Sequence, residues 1–175
     1  KVLVKVEAPK RENSNLIRGE KIQGVKNIIA VASGKGGVGK STTSVNLALA
    51  LKEEGATAAI LDADIYGPSI PRMLGLSGRP DSEDGKKLEP KVGHGLQAMS
   101  IGLLVDEDTP MIWRGPMVTQ ALEQLLSDTN WEDVDFLIID LPPGTGDVQL
   151  TLCQKIPLSG AVIVTTPQDI SLIDA

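Results

Sequence analysis

Short apolar runs that end in Gly or Asp alternate along this chain with stretches of helical spacing. Ile28-Ile29-Ala30-Val31-Ala32 is wholly apolar and is closed by glycines, which is how a strand buried on both faces of a parallel sheet reads. The pattern returns at Thr57 to Leu61 before Asp62, at Phe136 to Ile139 before Asp140, and at Ala161 to Thr165. Between these runs, Lys40 to Glu54 contains no Gly or Pro; Val45, Ala48 and Leu49 fall on one helical face and Gly55 supplies a stop. Pro116 to Leu126 repeats helical spacing at Val118, Leu122, Leu125 and Leu126, with Pro116 suited to the first turn. Alternating strands and helices predict an α/β fold: a doubly wound, mostly parallel sheet with flanking helices.

The remaining segments read differently. Residues 1–26 carry charge, Asn, Pro and Gly with one short alternation at Val2, Val4 and Val6, which predicts a tail or linker ahead of a domain over 27–175. Gly75 to Gly95 is rich in Gly, Pro, Asp and Lys and is expected to be a surface excursion, with short strands near Leu88 and over Leu96 to Ile101. The chain starts at Lys1 and stops at Ala175 within an apparent helix start, so it reads as a fragment. A sheet cut short after Val164 should expose apolar edge surface and be less stable than the complete chain.

At 175 residues one hydrophobic core is expected. The 23 acidic residues outnumber the 17 basic ones, which provides no broad positive field for nucleic acid. The single cysteine, Cys153, forms no internal disulfide and cannot alone hold zinc or an iron–sulfur cluster; a reducing compartment fits. No apolar run is long enough to cross a bilayer, which points to the cytoplasm, or to the mitochondrial matrix in a eukaryote.

The chemistry concentrates at three strand ends. Gly34, Gly39, Lys40 and Ser41 fulfil Gly-x-x-x-x-Gly-Lys-[Ser/Thr] between an apolar strand and a helix, the context a phosphate-binding loop requires. Glycines allow the backbone N–H groups to turn toward phosphate oxygens, and the following helix offers its positive end. Gly34, Lys35, Gly36, Gly37, Val38, Gly39, Lys40, Ser41 and Thr42 are therefore the expected nucleotide contacts, with Lys40 on the β- and γ-phosphates and the Ser41 hydroxyl on Mg²⁺. Asp140, at the end of an apolar run, is expected to hold Mg²⁺ through its water shell. Pro142-Pro143-Gly144-Thr145-Gly146-Asp147 then reads as a loop that senses the γ-phosphate through the Gly144 N–H. Asp62 and Asp64 lie on alternate residues at another strand end; Asp62 is assigned to the metal side and Asp64 to the attacking water. ATP and Mg²⁺ are the expected ligands. Ordinary roles are expected elsewhere: Cys153 as a buried structural thiol, His94 as an exposed loop residue, Trp113 and Trp131 as packing anchors.

Because Lys35 follows the first glycine, Gly34-Lys35-Gly36-Gly37-Val38-Gly39-Lys40-Ser41-Thr42 resembles the deviant phosphate loop of the MinD/ParA/Mrp ATPase group. The strings Leu61-Asp62-Ala63-Asp64-Ile65-Tyr66-Gly67-Pro68-Ser69-Ile70-Pro71, Trp113-Arg114-Gly115-Pro116-Met117, Asp140-Leu141-Pro142-Pro143-Gly144-Thr145-Gly146-Asp147 and Thr166-Pro167-Gln168-Asp169 look like the Mrp branch within it. The resemblance covers residues 24 to 175. It implies a homodimer in which Lys35 reaches the nucleotide of a second subunit, and catalytic roles for Lys35, Lys40 and Asp64 in slow hydrolysis of ATP to ADP and phosphate. It also implies an iron–sulfur cluster carrier that delivers clusters to apo-proteins, without a nucleic-acid or membrane partner. The branch usually carries its Cys-x-x-Cys cluster ligands further toward the C-terminus, past the end of this chain, and its adenine-reading residues also fall beyond Ala175. The competing expectation is a ParA- or MinD-like partitioning switch acting on DNA or membrane, which predicts a basic patch or a terminal amphipathic helix.

Overall fold

The computed structural model describes residues 21–82, 85–104, 115–144 and 146–167. The Val2–Val6 alternation, Trp113, Arg114, Thr145, Gln168 and Asp169 lie outside them. The chain runs β1 (Val25–Ala32), α1 (Lys40–Glu53), β2 (Ala58–Asp62), α2 (Ile70–Leu74), β3 (Lys91–Gly93), β4 (Leu96–Ser100), a 3₁₀ turn (Ile101–Leu103), α3 (Gly115–Asp128), β5 (Val134–Asp140), α4 (Asp147–Lys155) and β6 (Gly160–Ile163). Six strands form one sheet in the order β3-β4-β2-β5-β1-β6. All pairings are parallel except the β3–β4 hairpin.

Period-two alternation sorts the buried residues to two faces. Val31, Ala58, Ile60, Ala98 and Ile138 join Val45 and Ala48 of α1 and Ile70 and Leu74 of α2 in one cluster. Ile28, Ala30, Ala59, Leu61, Leu137 and Ile139 join Val118, Leu122, Leu125 and Leu126 of α3 and Leu152 and Ile156 of α4 in the other. The sheet is thus covered on both sides, which explains why its central strands carry no polar face. Burying each Val, Leu or Ile among them is worth roughly 1.5–3 kcal/mol. Trp131 is buried in the second cluster and its indole N–H donates to the Leu126 carbonyl at 3.1 Å, the packing role expected of it.

Three expectations are corrected. The strand expected near Leu88 is a single bridge to Thr129; the hairpin strand is Lys91–Gly93, turned at the exposed His94. Cys153 is exposed, because the helical period of α4 sends Leu152 and Ile156 inward and leaves their neighbours outside. The first strand starts at Val25 and Ile22 packs against the core, so the chain joins the fold a few residues before 27. At the far edge, Val164 still donates to Ala32, and Ile163 of β6 is left exposed.

Gly24 sits where β1 begins, with φ +79°, and a Cβ there would lie 2.0 Å from the Trp131 carbonyl oxygen. Gly24→Ala is expected to destabilise the fold by about 2–3 kcal/mol, since the strained backbone and the overpacking add. A urea midpoint equal to wild type would refute this.

Candidate nucleotide-binding site

The carboxyl ends of β1, β2 and β5 converge because these strands are neighbours in register: Val31 lies opposite Asp140, and Asp62 opposite Asp140. Ligand sites of open α/β sheets form at such strand ends. Asp62 and Asp140 follow Ile60 and Ile138 at period two, so both point to the α1/α2 face. Each takes the start of a different helix.

Asp140, fully buried, receives α1. Its Oδ2 accepts from Ser41 Oγ at 2.6 Å and from Lys40 Nζ at 2.8 Å, and its Oδ1 accepts from Ser44 Oγ at 2.6 Å. Lys40 Nζ also lies 3.6 Å from Asp64 Oδ2. Lys40 is itself buried, so its ammonium is shared between two carboxylates in a water-poor site where charge interactions are strong. Burial raises the Asp64 carboxyl above its usual range, with the attraction of Lys40 opposing. Asp64 Oδ1 and Ser33 Oγ, at the base of the loop, are buried and have no hydrogen-bond partner among the described residues.

The loop leading into α1 bends through Gly37 (φ +76°) and Gly39 (φ +90°), conformations that cost a residue with a Cβ. Gly39 caps α1 without a side-chain hydrogen bond, and the first turn carries no acidic residue. The amides of that turn are therefore not taken up by a side-chain cap, and the positive helix end suits an anion. Lys35 and Val38 are half-buried in this loop, Gly34 stands at its base, Gly36 is open, and Thr42 is exposed on the first turn of α1. Gly144 reaches the same place from β5: its N–H donates to the Ser33 carbonyl at 2.9 Å.

Asp62 departs from its expected place on the metal side. Its Oδ1 accepts from the Asp64 N–H at 3.1 Å, and its Oδ2 from the Ile70 N–H at 3.1 Å and Ser100 Oγ at 3.3 Å. Both oxygens are thus spent on holding the 63–70 loop and the start of α2. Burial pushes Asp62 up to about 7, against the pull of the Ile70 and Asp64 amides. The carboxylate that faces Lys40 is Asp64. Ser44 was not expected in the site; it follows Lys40 by four residues, hence on the same face of α1, and that spacing is the signal that could have found it.

Glycine loop, buried lysine, helix N-terminus and the strand-end Asp140 together define a P-loop nucleotide-binding domain. The sequence model of the NUBPL iron-transfer P-loop NTPase family, within the ParA group, matches residues 24–175, and the chain belongs to that family. It is 66% identical over 155 residues to the iron–sulfur cluster carrier protein of Escherichia coli, covering 88% of this chain and 42% of the relative. It is 55% identical over 156 residues to the iron–sulfur cluster transfer protein NUBPL of Mus musculus, covering 88% of this chain and 49% of the relative. The chain thus spans about half the length of these relatives, or less. Among solved structures it is similar to a nucleotide-binding protein of Archaeoglobus fulgidus in complex with ADP, at 39% identity and a TM-score of 0.72, covering 86% of this chain and 59% of that one. The fold is also that of the septum site-determining protein MinD of Pyrococcus horikoshii, complexed with Mg-ADP, with a TM-score of 0.55 at 24% identity over 85% of this chain and 61% of that one. No helix among the described residues is long and apolar enough to cross a membrane.

The donors present fit Mg²⁺. Ser41 Oγ and Asp140 Oδ2 are hard oxygen donors set together at 2.6 Å. Among the described residues no group of three or more His, Cys, Asp or Glu side chains could hold a metal ion by itself.

Proposed function

We propose that this chain is the ATP-hydrolysing domain of an iron–sulfur cluster carrier, and that nucleotide turnover in a homodimer gates loading or release of a cluster delivered to apo-proteins. The observation that carries the reading is the buried constellation of Lys40 shared by Asp140 and Asp64 beneath the glycine loop. Lys40, drawn off the carboxylates, would neutralise charge on the β- and γ-phosphates. Gly34 to Thr42 would present amides to the remaining phosphate oxygens. Ser41 and Asp140 would hold Mg²⁺, which when bound offsets the phosphate charge. Asp64, whose buried Oδ1 has no partner among the described residues, would orient and accept a hydrogen bond from the attacking water, so that the γ-phosphoryl group passes to water and ADP leaves. Asp62 would act one step back, by fixing the loop that carries Asp64. Lys35 would supply a second cation to the nucleotide of the other subunit, and the cluster ligands would lie outside this chain. A cytoplasmic or mitochondrial matrix setting suits such a carrier.

The test is anaerobic reconstitution of the full-length protein with iron and sulfide, followed by transfer to an apo-protein with and without MgATP. A coloured protein whose transfer rate responds to ATP is the expected result; a colourless protein would sink the carrier reading. In the same protein Asp64→Asn is expected to keep MgATP affinity within roughly threefold while turnover falls roughly a hundredfold or more. Wild-type turnover in that variant would remove Asp64 from its role.

A further inference from the structure

The loop after β5 is attached in an unusual way. The β1–β5 ladder continues past β5 with the Leu141 N–H donating to the Val31 carbonyl at 3.0 Å. The next rung would come from residue 143, but Pro142 and Pro143 have no N–H to give. Gly144, at φ +115°, folds back and supplies that rung to Ser33 instead. The Gly144 N–H therefore holds this stretch against the base of the phosphate loop.

The proline carbonyls are taken by a side chain. Gln149, on the first turn of α4, donates through Nε2 to the Pro142 carbonyl at 3.2 Å and to the Pro143 carbonyl at 3.0 Å. A carboxamide has two N–H groups on one nitrogen, one for each carbonyl; the flipped amide would set its oxygen against both. The side chain also lies against the two glycines. A Cβ on Gly144 would come 3.4 Å from Gln149 Nε2, and one on Gly146 3.5 Å from Gln149 Oε1. Further along, α4 is anchored by buried Leu152 and Ile156 and by the Lys155 to Glu123 ion pair with α3 at 2.6 Å.

We propose that Gln149 is a positioning residue for the nucleotide reaction: it fastens Pro142, Pro143 and Gly144 to α4, so that this stretch and the helix shift as one body when the Gly144 amide turns from Ser33 to a γ-phosphate. Gln149 touches neither substrate nor reacting atoms and acts through Pro142, Pro143 and Gly144. The role in turnover rests on the ATPase reading; the hold on the loop does not.

Two variants of the full-length protein test this. Gln149→Glu keeps the shape and replaces both donors by a carboxylate at neutral pH, and Gln149→Met keeps the length without polarity. In nucleotide-free protein, hydrogen exchange at the Gly144 amide is expected to accelerate roughly ten- to thirtyfold in both, the worth of two ordinary hydrogen bonds. With MgATP, KM is expected to stay within roughly threefold and kcat to fall roughly tenfold at pH 8. In Gln149→Glu alone, kcat relative to wild type begins to recover as pH falls below about 5, since a protonated Glu regains one donor. Unchanged exchange at Gly144 overturns the proposal even if the wild type proves inactive toward ATP, an outcome that would refute the ATPase reading separately. A parallel loss of melting temperature, KM and kcat with no pH recovery also overturns it, by reducing Gln149 to a structural support.

Discussion

Replacing Lys40 with Ala is expected to weaken nucleotide binding by at least about a hundredfold and, in the same protein without nucleotide, to lower folding stability by roughly 3–5 kcal/mol. The two losses have one origin. The ammonium lies 2.8 Å from Asp140 and 3.6 Å from Asp64 in a buried site, so its removal leaves two carboxylates facing each other without compensation. Removing one member of a buried ion set costs far more than the set contributes as a whole, because the remaining charge stays desolvated. With ligand, the same ammonium is what offsets phosphate charge, and charge-assisted bonds of this kind are worth more than neutral ones. The instability has a diagnostic pH dependence. Asp64 is already raised by burial, and losing Lys40 removes the attraction that opposes that rise; mild acid therefore neutralises it and returns part of the lost stability. Urea unfolding of the variant at pH 7 and pH 5, with ADP titration by calorimetry, measures both effects. Wild-type ADP affinity would remove Lys40 from the phosphate site, and a pH-independent deficit would remove the shared-carboxylate explanation.

Such a site is legible in sequence to the extent that its signals are local. The glycine loop, Lys40, Ser41 and Asp140 could be read because each sits at the end of an apolar run whose length and composition already identify a buried strand. The two faces of the sheet follow from alternation in Ile60-Leu61 and Ile138-Ile139. The same alternation places Asp62 and Asp140 on the α1/α2 face, but only strand order, β2 beside β5 beside β1, says that they are neighbours. The division of roles between Asp62 and Asp64 therefore could not be read. It depends on the Ile70 and Asp64 amides and Ser100 closing around Asp62, and these come from three parts of the chain. Cys153 failed for a different reason. Leu150-Thr151-Leu152-Cys153 is an apolar string, whereas a helix on a sheet buries only every third or fourth residue. Gln149 left no trace, since its meaning lies in two proline carbonyls that point at it only once the loop has folded.

Asp62 leads to the second large effect, a stability that falls as pH rises. Its carboxyl is raised in the folded protein from 3.8 to about 7, chiefly by burial. A folded value above the unfolded one means that the native state holds a proton which the unfolded chain has released, so between these values folding is favoured by acid. The contribution is fully present below about pH 4 and is lost as pH rises through 7. At about 1.4 kcal/mol per unit, an upper bound on the order of 4 kcal/mol follows. The carboxyl accepts from the Asp64 and Ile70 amides and from Ser100 Oγ. Other carboxyls pull the opposite way, Asp135 for one, which Lys26 holds below its usual value. The quantity to measure is therefore the difference between wild type and Asp62→Asn, by urea unfolding from pH 4 to pH 8 without nucleotide or divalent cations. Asn cannot titrate, and its amide nitrogen cannot accept from Ile70, so the variant should be less stable at pH 4, with the gap narrowing steadily toward pH 8. A gap that stays constant with pH would mean that Asp62 is ionised throughout, held charged by its two backbone donors in spite of burial.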